Sequence, residues 1–81
     1  MSDTDIHVDE ELDALGLLCP LPVLKARKRL KGMAAGQTLR ILADDPAAVI
    51  DVPHFCAENG HRLLAQSEDG TALVFLVQKA P

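Results

Sequence analysis

Tryptophan and tyrosine are missing from the sequence, and Phe55 and Phe75 are its only phenyl rings. Without an aromatic platform, and with a formal net charge of −4, the chain has little with which to stack bases or neutralise phosphates, so direct nucleic-acid binding is not expected. Any core must be built from Leu, Val, Ile and Ala, which suits helices packed on a sheet. Basic residues are missing from Met1 to Glu11, where Asp3, Asp5, Asp9, Glu10 and Glu11 gather, the reverse of a signal or transit peptide. No apolar run approaches the roughly 20 residues that cross a bilayer, so no membrane association is expected. A Cys-x-x-Cys pair is also missing. Cys19 and Cys56 are far apart, and with no export signal both are expected as free thiols in a reducing, cytoplasmic setting.

What is present fits one domain, since a chain of 81 residues cannot support two cores. Residues 1–9 read as a flexible acidic tail and 10–81 as the folded unit. Leu12 and Ala14 suggest a short first strand, closed by Gly16. From Pro20 to about Met33 the apolar residues Val23, Ala26, Leu30 and Met33 recur at helical spacing, and Lys25, Arg27, Lys28, Arg29 and Lys31 occupy the other faces. Thr38 to Ala43 reads as a second strand, with Leu39, Ile41 and Ala43 on one side and Arg40 on the other. Asp44-Asp45-Pro46 reads as a helix start with carboxylate caps and proline at the first position. Pro53 predicts a kink or two short pieces, 47–51 and 54–58, ended by Asn59-Gly60. His61 to Gln66 and Ala72 to Lys79 read as strands of a hairpin turning at Glu68-Asp69-Gly70. The order β-α-β-α-β-β predicts an α/β (α+β) two-layer sandwich: a four-stranded mixed sheet with two helices on one face.

Cys19-Pro20-Leu21-Pro22 stands where a loop becomes a helix. Proline at the first and third helical positions removes only N–H groups that lack an intrahelical partner, and so stiffens the helix start. Cys19, pushed out of helical geometry by the proline after it, is expected as the cap, its sulfur near the positive helix end. The dipole there is expected to favour a thiolate by roughly 0.3–1 kcal/mol. The prolines also delete donors that a phosphate cradle would use. A single exposed thiol suits a carrier, although free cysteines more often simply pack. Packing is the expected role of Cys56, beside Phe55 in a helix. His54, Cys56 and His61 lack a convincing zinc spacing, and no metal is expected. The basic face of the first helix is either a solvated surface or a docking patch for an acidic partner.

Leu12-Asp13-Ala14-Leu15-Gly16 leading into Cys19-Pro20-Leu21-Pro22 resembles the Cys-Pro-x-Pro signature of the TusA/SirA-like family. Ala43-Asp44-Asp45-Pro46, Asp51-Val52-Pro53-His54-Phe55-Cys56 and Gly60-His61 resemble later blocks of that family in order, so the likeness spans roughly Leu12 to Lys79. The resemblance implies a sandwich similar to the C-terminal domain of a bacterial translation initiation factor. It implies a sulfurtransferase acting as a stoichiometric carrier, with Cys19 holding sulfur as a persulfide and Pro20 and Pro22 positioning it. A cysteine desulfurase or rhodanese-like protein would donate the sulfur. A downstream protein would accept it, in tRNA thiolation, sulfur oxidation or molybdenum-cofactor supply. Beyond that covalent sulfur no cofactor is implied. Leu18, Leu21, Lys25, Lys28 and Arg29 are the expected partner surface of a monomer. Leu18 and Leu21 stand where the tRNA-thiolating branch often has arginine and glutamate, which weakens the case for that pathway and leaves persulfide chemistry intact. The alternatives are a cysteine-based redox-sensing or regulatory module without sulfur turnover, and an accessory subunit of a membrane protein.

Overall fold

A computed structural model of the chain describes residues 6–81, with β1 (Glu10–Ala14), α1 (Leu21–Lys31), β2 (Thr38–Ala43), α2 (Ala48–Asn59), β3 (Arg62–Asp69) and β4 (Ala72–Gln78) in that order. Residues 1–5 of the expected acidic tail lie outside the described residues. Asp9 is already tied to the sheet: its N–H donates to Thr38 O at 3.0 Å, and its Oδ2 accepts from the Thr38 N–H at 2.8 Å.

The strands lie in the order β1-β2-β4-β3, β1 parallel to β2 and the other neighbours antiparallel, which is the expected mixed sheet. Strand alternation sends Leu12 and Ala14, then Leu39, Ile41 and Ala43, then Phe75 and Val77 to one face. There they form a single core with Ala26 and Leu30 of α1 and Val52, Phe55 and Cys56 of α2. Both helices therefore cover the same face. Val74 and Leu76, alternating with the core residues of β4, are buried on the other side, beside half-buried Leu42. Parallel pairing from Glu10↔Leu39 to Ala14↔Ala43 makes the connections leaving β1 and β2 emerge at one end of the sheet. The first carries Cys19 and the second Asp44 and Asp45.

Three local expectations are narrowed or corrected. Of the two outcomes expected at Pro53, a kink or two short pieces, the second is set aside: α2 is one helix running through Pro53. Proline inside a helix costs about 3 kcal/mol, and burying Val52 and Phe55 on that helix, at about 1.5–3 kcal/mol each, offsets it. The helix also begins later than expected: Pro46 lies in the preceding turn, Ala47 is the N-cap, and neither Asp44 nor Asp45 occupies the cap position. Finally, Glu68 and Asp69 belong to β3, and the hairpin reverses at Gly70-Thr71, where Gly70 adopts φ 63°. Glycine opening a two-residue loop suits the twist of the strands it joins.

Candidate functional site

The loop from β1 to α1 is built by hydrogen bonds to carboxylates. Ala14 O accepts from the Leu17 N–H at 3.3 Å, and Asp13 Oδ1 accepts from the Leu15 N–H at 3.0 Å. Gly16, at φ 79°, donates its N–H to Asp44 Oδ1 at 3.0 Å. The Cys19 N–H donates to Asp45 Oδ2 at 2.7 Å, and the other oxygen of the same carboxylate accepts from the Ala47 N–H at 3.0 Å. Asp45 thus clamps the thiol's backbone to the turn that opens α2. Those two donors hold its carboxyl below the usual carboxylate range.

Cys19 is exposed and free, one residue outside the position expected for it, because Pro20 is the N-cap and Pro22 the second helical residue. The helix end beside the thiol has fewer free donors than expected. Pro20 and Pro22 have no N–H, and the Leu21 N–H is spent on Leu18 O at 2.9 Å. What faces the sulfur instead is negative. The Cys19 pKa is raised above its ordinary value, first by a hydrogen bond from the thiol to the Asp51 carboxylate, then by partial desolvation and by the charges of Asp51 and Asp45. The resting site favours the thiol, and the expected thiolate enrichment is corrected accordingly.

A groove of about 190 Å³ runs beside the sulfur, between Pro20, Val23 and Arg27 of the α1 side and Asp51, His54, Phe55 and Glu58 of α2. Arg27 lies over the Phe55 ring, 5.8 Å from its centroid, and His54 Nε2 pairs with Glu58 Oε1 at 3.0 Å. Arg27 and Asp51 were not among the expected site residues. Their signal was helical spacing: Arg27 lies one turn from Val23, and Asp51 falls in the first turn of α2, but only the packing of α1 on α2 shows that they meet.

Of the expected partner surface, Leu18 is 70% exposed and Leu21 44%. With Leu24 and with Ile50, which is 74% exposed, they put apolar area around the thiol end of the helices. Lys25, Lys28 and Arg29 line a different groove, with Glu10 and Leu12 against β1. Arg29 is engaged there, donating to Glu11 O at 3.0 Å and pairing with Glu10 Oε1 at 3.5 Å. The cation that α1 brings to the thiol groove is Arg27.

Cys56 is 2% exposed, and burial pushes its thiol up to about 11. His61 Nδ1 accepts from the Ala80 N–H at 2.9 Å. Among the described residues, no group of three or more His, Cys, Asp or Glu side chains is placed to hold a metal ion. No described helix is long and apolar enough to cross a membrane.

Comparison with known proteins gives two findings. Residues 10–79 match the family model described as Sulfurtransferase TusA. Among solved structures, the chain is similar to a SirA-like protein from Desulfitobacterium hafniense, with a TM-score of 0.78 and 23% identity over 90% of this chain and 100% of that one. At that identity the likeness is one of fold.

Proposed function

Because the chain belongs to the TusA sulfurtransferase family, whose general role is sulfur carriage, we propose that it accepts sulfane sulfur on Cys19 as a persulfide and hands it to an acceptor protein. The observation that carries this reading is the contrast between the two thiols: Cys19 stands exposed at the mouth of a groove, while Cys56 is sealed in the core. A carrier needs one sulfur that a partner's cysteine can approach, and Cys56 cannot be approached without opening the fold. Pro20 and Pro22 stiffen the backbone around that sulfur, and Asp45 fixes its amide. The apolar surface of Leu18, Leu21 and Ile50 supplies area for docking in turn with a donor, a cysteine desulfurase or a rhodanese-like protein, and with the acceptor. A reducing, cytoplasmic setting, in which the Cys19 thiol is not consumed as a disulfide before it is loaded, suits this reading.

The test is intact-mass spectrometry after incubation with a cysteine desulfurase and cysteine, or with a rhodanese and thiosulfate. A reducible gain of about one sulfur atom, lost in Cys19→Ser and kept in Cys56→Ala, is the expected result. Loading that follows Cys56, or no loading from either donor, would remove the reading.

A further inference from the structure

The five cations of α1 do not form one surface. Arg29 is engaged with Glu10 and with Glu11 O beside β1, in the groove that Lys25 and Lys28 also line. Arg27 and Lys31 belong to a second groove, of about 450 Å³, which they line together with Lys79 after β4 and with Asn59 and His61 where α2 gives way to β3. Among the described residues, no Asp or Glu side chain lines it. Even with the carboxylate that ends the chain at Pro81 set against them, the three cations leave this groove positive on a chain of formal net charge −4. Burial first, and then the charge of Lys79, hold the His61 pKa below its ordinary value. Because His61 Nδ1 accepts from the Ala80 N–H at 2.9 Å, the neutral ring carries its proton on Nε2 as a further donor. The volume lies within the range of about 300–1,000 Å³ that holds ligands larger than a single ion. Arg27, 5.8 Å over the Phe55 ring, and Phe55 itself also line the groove beside Cys19, so the two grooves adjoin.

We propose that this basic groove docks an acidic segment of a partner protein, whose carboxylates pair with Lys31 and Lys79 and whose chain is thereby led past Arg27 toward Cys19. The docking site deepens the carrier reading, on which its purpose rests but its test does not. An acidic peptide suits the groove better than nucleic acid does. An extended peptide presents carboxylates in a row on apolar stems, and Leu30 and Phe55 give those stems a surface. Bases need an open ring to stack on, and the one phenyl ring here already has Arg27 over it. Pairing at such solvent-open groups is screened by salt and steers encounter more than it holds a complex, as a carrier that serves two partners in turn requires.

The experiment titrates the full chain, labelled for NMR and carrying Cys19→Ser so that no disulfide intervenes, with a hexapeptide of glutamate at pH 7 and low salt. Amide shifts that saturate and centre on Lys31, Asn59, His61 and Lys79 are expected, and a hexapeptide of glutamine should produce none. Lys31→Ala and Lys79→Ala should each weaken binding about two- to fivefold, the usual worth of one exposed ion pair. Lys28→Ala, in the groove beside β1, should leave it unchanged. Shifts centred on Lys25 and Lys28, an affinity unmoved by both Lys31→Ala and Lys79→Ala, or tighter binding of a thymidine hexanucleotide would overturn the proposal. Lys31 is exposed, so Lys31→Ala alone decides should Lys79→Ala fail to fold. Loading of Cys19 by a desulfurase is measured separately on the unsubstituted chain. Its failure beside saturable peptide binding would remove the carrier reading and leave the docking site standing, and loading without peptide binding would remove the docking site alone.

Discussion

Raising the pH should destabilise this protein through Cys56, and the size of the effect follows from burial. Burial pushes that thiol from its ordinary 9.0 to about 11. Between those values the unfolded chain releases the Cys56 proton while the folded chain keeps it, so stability falls as pH rises. The loss is about 1.4 kcal/mol by pH 10 and approaches about 2.7 kcal/mol well above pH 11, at 1.36 kcal/mol for each unit of displacement. Tyrosine is absent, so no phenol titrates in the same window, and the lysines contribute equally to any pair of chains compared. The perturbation is Cys56→Ala in a Cys19→Ser background, which removes the exposed thiol's own titration. At pH 7 the variant should be about 0.5–1.5 kcal/mol less stable, the usual result of deleting one buried heavy atom. Urea unfolding from pH 7 to 10.5 should then show the two chains converging and, by about pH 10–10.5, crossing, because only the parent has the alkaline loss. Parallel curves would refute the reasoning, since they would mean that Cys56 ionises as easily in the fold as outside it.

Other substitutions probe the loops and the rim. Asp45→Ala leaves the Cys19 and Ala47 amides without their acceptor, and amide hydrogen exchange at both should quicken while that of Phe75 and Val77 stays slow. Gly60 closes α2 at φ 73°, and an added Cβ would meet nothing nearer than Ala80 at 4.0 Å. Gly60→Ala should therefore cost about 1–2 kcal/mol in urea unfolding, from the left-handed backbone alone. Leu18→Ser and Ile50→Ser remove exposed apolar area, and each should change stability by less than about 0.5 kcal/mol while lowering the rate at which a desulfurase loads Cys19. An unchanged loading rate in both would move the docking surface elsewhere.

Where local chemistry decides, the sequence was legible. Alternation placed β2 at Thr38–Ala43 with Leu39, Ile41 and Ala43 inward, and the spacing of Ala26 and Leu30 marked the buried stripe of α1. Cys19 stood out because two prolines flank one residue beside it. What could not be read depends on partners distant in the chain. Asp44 and Asp45 look like helix caps, since such residues usually are, and Asp45 Oδ1 does accept from the Ala47 N–H before α2, yet Asp44 Oδ1 and Asp45 Oδ2 serve Gly16 and Cys19 across the parallel strand pair. Asp51 reads in the sequence as the end of a short helical piece, and its place in the groove beside the thiol exists only because α2 packs beside α1. The charge state of the thiol depends on the same kind of partner: the helix end is visible in the sequence, and the carboxylates of Asp51 and Asp45 beside the sulfur are not.

The register of the sheet also says what can be attached to this domain. Glu10, where β1 begins, lies beside Leu39, and Gln78, where β4 ends, lies beside Thr38, so both the entry and the exit of the folded unit sit at the end opposite Ala14 and Ala43. At about 3.3 Å per residue, the length of β2 puts roughly 17 Å of sheet between them and the level at which the Cys19 loop departs. A surface, a tag or another domain joined at either end would hold the unit by its base and leave the sulfur facing outward. The same layout would let a tethered copy present its thiol to successive partners without releasing its anchor.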